Sequence, residues 1–507
     1  MIGWFSGAGN EIVTYSYLWE YLLSTLVDVK GRSLTKKLSV LASADVLDAL
    51  RLWHGGAIER WPFANLRLNL QATDEQEIHG SLSETGPAAR NRVILNRGLE
   101  KLREISPSAS SLLRERFEKG RDVLEVANSL NIAEATLHYR QRQAINQLTD
   151  ILMVLEEAAS EDWQNKMLGR LELPTYIELV GIEEPFSLLS DALLAENRNF
   201  ITVVDGLGGL GKTALADWVT RQLIQTTRFN DIAWITAKQS YLSAMGRLEV
   251  ETDVPAMTIP ILLDRLAAQF NLTSHNITYL QHQREVRSYL RDQPNLVIID
   301  NLETIADYKA LLPTLREWQS PSKFLLTSRR RLLDQPGIYS ISLKELSQEA
   351  AFLLIRQVAE HSGFGELAGA DDETLWKIFR AVGGNPLALK LMVGQLRFYS
   401  LPQVLARFTE NDITEENGLF DYIYRENWET ISDEEKETLL ALTQAGGNGF
   451  TFEQLAARVS LSEPTLIQCL ENLILLSLVD RAGTLMERCY RLHRLTELSI
   501  LRMLEEE

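Results

Sequence analysis

The chain has 507 residues, 45% of them hydrophobic and 24% charged, with 51 Lys+Arg against 69 Asp+Glu and a net charge of −18. That length suits roughly three to four domains of about 100–200 residues each, and the composition is that of a globular chain rather than a disordered or fibrous one. The acidity excludes binding of nucleic acid by overall charge, so any such contact needs a locally basic face.

Residues 1–85 contain aromatic-rich amphipathic stretches, "EIVTYSYLWEYLLSTLV" and "ADVLDALRLWHGGAIERWPFANLRL". They read as a helical N-terminal region of unknown role. The opening "MIGWFSGAGNEIVTYS" lacks the basic start and long apolar core of a secretory leader. The polar stretch 74–90 reads as a loop.

Residues 86–155 carry a helical pattern broken at Gly120 and near Asn131. "VLEVANSLNI" reads as a first helix and turn, and "AEATLHYRQRQAINQL" as a second helix. Ala127, Leu130, Ile132, Leu137 and Ile145 are the apolar positions that pack such a pair. Thr136, Tyr139, Arg140 and Arg142 are the polar positions left to face a groove of duplex DNA. The stretch resembles the helix-turn-helix of sigma-factor region four. Residues 91–150 hold 10 Lys+Arg and 8 Asp+Glu, and 10 − 8 = +2 is a weak basic footprint for a DNA binder. Two readings therefore stand: DNA contact, or a helical adaptor that keeps the packing and binds protein. Residues 156–174, ending at Pro174, read as a linker.

From 175 to 344 short apolar runs alternate with helical stretches. "FITVVD", "DIAWITA", "NLVIID", "KFLLTS" and "IYSISL" read as strands. Their unbroken apolar character predicts a parallel sheet covered on both faces and built from βαβ units. The polar stretch 240–258 reads as an excursion loop. Residues 345–430 read as helical throughout. Residues 431–507 read as helices, then two strands around Gly483 and a final helix, the outline of a winged helix. The expected fold class is multidomain α/β plus α. No run approaches the roughly 18 apolar residues of a membrane span. The two cysteines, Cys469 and Cys489, suit a reducing cytoplasm.

"GLGGLGKT" follows the first of those strands and opens a helix. It fits the phosphate-loop pattern G-x-x-x-x-G-K-[ST] in its required context. Gly206, Gly208, Gly209, Leu210, Gly211 and Ala214 would turn backbone N–H groups toward phosphates at a helix N-terminus. Lys212 would reach the β- and γ-phosphates, and Thr213 would offer a hydroxyl to Mg²⁺. Asp300 ends "NLVIID", where a carboxylate can hold Mg²⁺ through water. Arg329 ends "KFLLTSR", within reach of a γ-phosphate.

The order "GLGGLGKT", "DIAWITA", "LVIIDNLE", "KFLLTSR", "GGNPLAL", "YRLHRLTEL" resembles the NB-ARC-type STAND ATPases over about residues 175–507. The resemblance implies a P-loop domain (175–344), a helical lid (345–430) and a winged helix (431–507) that close over ADP. It implies that Val180 and Gly181 line the adenine, that Gly384 and Pro386 bring a proline against the nucleotide, and that His493 reads the β-phosphate. It also implies ATP/ADP with Mg²⁺, opening to a homo-oligomer, and a repeat sensor. The sequence ends at "LRMLEEE" before any such repeat, which leaves three readings: the sensor is absent, it belongs to a separate partner protein, or the sequence is a fragment.

Two departures stand out. The family's Met-His-Asp is Leu492-His493-Arg494 here, without the acid. The second acid common after the Asp300 position is Asn301, which cannot take a proton from water. Glu303, two residues on, is either a substitute base or a surface carboxylate. The sequence thus favours a slow nucleotide-state switch with a DNA-binding output. The alternatives are a switch with a protein-binding output and an ordinary P-loop ATPase.

Overall fold

The computed structural model describes residues 41–56, 61–78, 86–174, 176, 178–237, 240–242, 248–250, 257–272, 278–302, 308–332, 335–409, 424, 428, 430–445, 449–483 and 487–506. The chain divides into two compact units, Met1–Arg170 with Arg221–Asn230, and Leu171–Thr220 with Asp231–Glu507. The stretch "EIVTYSYLWEYLLSTLV" and Glu303 lie outside the described residues.

The first unit is helical. It holds α1 (Ser43–Arg51), α2 (Arg67–Ile78), α3 (Pro87–Ile105), α4 (Pro107–Leu113), a π-helical turn (Arg114–Glu118), α5 (Val123–Ser129) and α6 (Glu134–Leu168). The loop expected over 74–90 is helical at both ends, since α2 runs to Ile78 and α3 starts at Pro87. Leu95, Leu99 and Leu102 of α3 share a core with Leu148 and Leu152 of α6. Burial along α6 recurs at Leu137, Ala144, Leu148, Leu152, Ala159 and Met167, a stripe at helical spacing. No Gly or Pro interrupts it before Gly169. The expected linker 156–174 is therefore helical as far as Leu168.

Helix α5 begins with a capping box, Asp122 accepting from Glu125 N at 2.8 Å while Glu125 accepts from Asp122 N at 3.1 Å. Ala127, Leu137 and Ile145 are buried as expected. Leu130 is not: it is 46% exposed, because the turn that ends α5 points it outward and Ile132 packs in its place.

A buried polar clasp completes this unit. Glu156 accepts hydrogen bonds from the backbone N–H of Arg67 (2.8 Å) and Leu68 (3.0 Å), capping the start of α2. Burial pushes the Glu156 carboxyl up, and those two N–H groups oppose the shift. The Arg67 guanidinium lies 3.4 Å over the Trp163 ring and donates to the carbonyls of Thr226 (2.7 Å) and Phe229 (2.8 Å). Trp163 donates to Asn230 O at 2.8 Å.

The second unit starts with α7 (Glu183–Leu194), β1 (Ile201–Asp205) and α8 (Lys212–Ile224), the last crossing the division at Arg221. Then come β2 (Asp231–Thr236), β3 (Ser240–Leu242), β4 (Leu248–Val250), α9 (Ile259–Gln269), α10 (Tyr279–Asp292), β5 (Asn295–Asp300), α11 (Tyr308–Trp318), β6 (Lys323–Ser328) and β7 (Ile338–Ser342). The five expected strands form one parallel sheet in the order β2-β5-β6-β1-β7. β1, β5 and β6 are buried along their whole length, as their apolar runs require. Part of the expected loop 240–258 is instead an antiparallel hairpin, β3 with β4. Because the sheet is parallel, Asp205, Asp300 and Ser328 all end strands at one edge, where open α/β sheets bind ligands.

Downstream lie α12 (Gln348–His361), α13 (Gly365–Ala368), α14 (Asp372–Val382), α15 (Pro386–Gln395) and α16 (Leu401–Thr409). The C-terminal elements are α17 (Asp433–Thr443), β8 (Phe450–Thr451), α18 (Phe452–Ala456), α19 (Glu463–Leu475), β9 (Val479–Gly483), β10 (Arg488–Leu492) and α20 (Arg494–Glu506). Their strands pair antiparallel in the order β8-β10-β9. Among the described residues no helix is long and apolar enough to cross a membrane.

Trp318 has 0% exposure and closes one side of the sheet with Leu290, Leu311, Leu315 and Phe324. Trp318→Ala is expected to destabilise this unit by about 3–5 kcal/mol, the usual cost of emptying an aromatic core site. A urea titration followed by circular dichroism should show the midpoint fall with an unchanged slope.

Candidate functional site

The phosphate loop joins β1 to α8. Gly206, Gly209 and Gly211 have φ of 141°, 81° and 91°, the region a side chain disfavours. Lys212 is 7% exposed, and its Nζ donates to the loop's own carbonyls at Gly206 (2.8 Å) and Leu207 (2.9 Å). The lysine thus curls into the loop it follows, at the positive end of α8. Thr213 donates from its hydroxyl to Asp300 Oδ1 at 2.8 Å. Thr327 donates to the same oxygen at 2.6 Å and accepts from Asn301 N at 2.9 Å. Three segments are thereby locked around one carboxylate, which is 2% exposed.

A downstream helix closes over this loop. Asn385 caps α15, its Oδ1 accepting from Leu387 N (3.1 Å) and Ala388 N (3.3 Å). Its Nδ2 donates to Gly208 O at 3.0 Å, and Leu387 N donates to Gly209 O at 3.3 Å. A Cβ at residue 209 would lie 2.8 Å from Asn385 Oδ1 and 2.9 Å from Leu387 Cβ, so only glycine permits this approach.

Between loop and helix lies a cavity of about 180 Å³. Gly208, Gly209, Gly211, Lys212, Thr213 and Ala214 of the loop line it, together with Arg329 and Pro386. Asn301, Leu387 and Lys390 also line it, and none of the three was expected from the sequence as a site residue. Lys390 falls four residues after Pro386, hence on the same face of α15, and that spacing could have revealed it. Burial lowers the pKa of its ammonium. Val180, Gly181, Gly206, Leu210, Asp300 and His493 do not line the cavity. Gly181 faces the start of α12 instead, where an added Cβ would lie 3.0 Å from Ala350 Cβ. Backbone donors, a buried lysine and a helix N-terminus form a donor set that fits a phosphate chain. The paired Thr213 hydroxyl and Asp300 carboxylate are a hard-oxygen pair of the kind Mg²⁺ takes. A larger hollow of about 530 Å³ in the first unit, between Val93, Arg97 and Leu155, offers no phosphate-binding loop.

His493 sits in a second cluster. Its Nε2 is 3.1 Å from Asp480 Oδ2 and its Nδ1 is 3.6 Å from Glu345 Oε1, with 9% of the side chain exposed. Asp480 also accepts from Arg331 Nη2 at 2.7 Å, and Arg331 Nε lies 3.9 Å from Asp205 Oδ1. Burial would lower the His493 pKa, but the Asp480 and Glu345 carboxylates outweigh it and raise the value to about 9. Burial likewise opposes ionisation of Asp480, yet His493 and Arg331 hold its carboxyl well below the usual carboxylate range. Asp205, fully buried, is shifted the other way: burial pushes its carboxyl up, against the Ser342 hydroxyl at 2.5 Å. The acid missing from Leu492-His493-Arg494 is thus supplied by Asp480 of β9. The β9–β10 register, which pairs Asp480 with Arg491 and Val479 with Leu492, brings it there.

The NB-ARC domain family matches residues 182–363. The disease susceptibility protein LOV1 of Arabidopsis thaliana is 24% identical over 235 residues, 43% of this chain and 24% of its own length. The regulatory protein AfsR of Streptomyces griseus is 25% identical over 318 residues, 59% of this chain and 29% of its own length. This chain therefore spans less than a third of either relative. Among solved structures, the Walker-type ATPase of Pyrococcus abyssi aligns with a TM-score of 0.46 and 15% identity, over 66% of this chain and 100% of that one. Residues 182–363, which carry the loop, Asp300 and Arg329, are an NB-ARC domain of the STAND P-loop ATPase family, with regulator and NLR-like relatives.

Proposed function

We propose that this chain is an ATP/ADP-dependent signalling switch, closed with ADP and opened by ATP, and at most a slow ATPase. The observation that carries this reading is the run of contacts Asp205–Arg331–Asp480–His493. It ties the strand that ends at the phosphate loop to the C-terminal hairpin, so a change at the loop has a charged route to those elements. On this reading residues 175–344 are the P-loop domain, 345–430 a helical lid and 431–507 a winged helix that serves as the latch.

Lys212 and Arg329 hold the phosphates, Thr213 and Asp300 hold Mg²⁺, Val180 and Gly181 border the adenine, and Pro386 packs against the nucleotide. His493 is the latch group, a buried cation whose charge suits a β-phosphate. The bound nucleotide supplies the hydrolysable phosphate and Mg²⁺ neutralises its charge. This chain's residues position and shield that phosphate rather than attack it. Asn301 offers no proton acceptor beside Asp300, and Glu303 is the carboxylate left for that task. Opening exposes surfaces for homo-oligomer formation and frees the N-terminal module as output.

For the output we favour duplex DNA, read by α5 and α6 as a helix-turn-helix. The supporting observation is that Thr136, Tyr139, Arg140 and Arg142 are all exposed on α6, Tyr139 by 67%. The name of the relative AfsR, a regulatory protein, fits this reading, and the plant relatives fit a protein-binding output.

Purified protein is expected to carry ADP and to turn over ATP below about 1 per second, the low end of ordinary enzyme rates. Steady turnover above that rate favours a working ATPase, and absence of any nucleotide affinity sinks the switch. Full-length protein should shift labelled duplex DNA, and Arg140→Ala with Arg142→Ala should abolish the shift. Retained binding by the double variant would reject α6 as the reader.

The latch also predicts a pH profile. Folded His493 keeps its proton to about pH 9, whereas an unfolded histidine releases it near 6.5. Its contribution, on the order of 3 kcal/mol, is whole below pH 6.5, fades between 6.5 and 9 and is gone above. Asp480 acts oppositely, its contribution being present above 3.8 and lost as pH falls below. Urea unfolding across pH 5–10 should show the alkaline loss in the native chain and not in His493→Gln.

A further inference from the structure

The cavity under α15 collects more positive charge than the phosphate loop brings. Lys212 enters it from α8, Arg329 from the end of β6 and Lys390 from α15. No carboxylate lines it among the described residues. Burial of the Lys390 ammonium is unfavourable for its charge, as its lowered pKa records. Its place is nevertheless set by firm contacts: Asn385 and Leu387 N hold the first turn of α15 against Gly208 and Gly209. Pro386 and Lys390 then share one face, four residues apart, so the helix carries a flat ring and a cation into the same space. An ammonium on a long stem is a compact point cation with three donors, well matched to a phosphate oxygen.

We infer that Lys390 is a third phosphate ligand, contributed by α15, which contacts the distal phosphates of a nucleoside di- or triphosphate and makes closure of that helix depend on how many phosphates are bound. The inference rests on the nucleotide reading above and goes beyond it. Three cations from three elements match the charge of a polyphosphate better than that of a monophosphate. Adenosine, with no phosphate, gains nothing from Lys390.

The test uses the full chain, calorimetric affinities for ATP, ADP, AMP and adenosine in Mg²⁺, and the variants Lys390→Met and Lys390→Arg. For Lys390→Met the affinity for ATP should fall about ten- to a hundredfold, the usual worth of a charged hydrogen bond. ADP should fall by as much or less, and adenosine should stay within about twofold. Lys390→Arg, which keeps the charge, should recover most of the loss. Equal losses for all four ligands would mean that Lys390 only packs the helix, and unchanged ATP affinity would remove it from the site; either result overturns the inference alone. If the native chain binds none of the four, the nucleotide reading itself fails and takes this inference with it.

Discussion

The geometry of the candidate site depends on one close approach, that of α15 to the backbone of Gly208 and Gly209. Asn385 spends its side chain twice there, capping its own helix with the carbonyl oxygen and bonding the phosphate loop with the amide nitrogen. Gly209 has no Cβ to hold the two apart. The same reasoning applies at Gly384, where a Cβ would fall 2.2 Å from Leu346 O. These contacts convert an open loop into a walled cavity. They also decide which residues share it, since Pro386 and Lys390 follow Asn385 at fixed helical intervals.

The second constraint is electrostatic. Arg331, Asp480, His493 and Glu345 form a nearly dry ion cluster, and such clusters are costly to leave half-paired. Its members come from the segment after β6, from β9, from the end of β10 and from the segment before α12. Each is therefore placed by a different element, and none can leave without stranding a partner charge. That makes the cluster an all-or-none contact, which is the property a two-position device needs.

Much of this was legible beforehand, and the reasons differ by element. The five strands of the parallel sheet are unbroken apolar runs, and burial on both faces leaves such runs little alternative. Gly206 to Thr213 carries its chemistry in consecutive residues. The hairpin around Gly483 also came through. What escaped was whatever depends on contacts far apart in sequence. Asp480 supplies the acid absent beside His493 only through strand register, across a hairpin whose pairing had to be known residue by residue. Lys390 was not singled out by the sequence, and only the cavity gives its face a meaning. The stretch 156–168 looked like a linker because its polar residues outnumber its apolar ones. A stripe as sparse as Ala159 and Met167, together with a capping carboxylate at Glu156, was enough to hold it in a helix. Leu130 failed in the opposite sense, an apolar residue that the turn turned out to solvent.

The continuity of α6 has a mechanical side. Thr136 and Trp163 stand on one uninterrupted helix, 27 residues apart, which is about 40 Å at the α-helical rise of roughly 1.5 Å per residue. Such a rod amplifies angle into distance. Rotating it by about five degrees around the Trp163 end sweeps the Thr136 end through about 3–4 Å, comparable to the roughly 3.4 Å that separates neighbouring base pairs. At the anchored end the Trp163 ring lies under the Arg67 guanidinium and donates to Asn230 O. The far end carries exposed side chains. Leu137, Ala144, Leu148 and Leu152 seat the same helix in the core between its two ends, so whatever turns it turns that core with it.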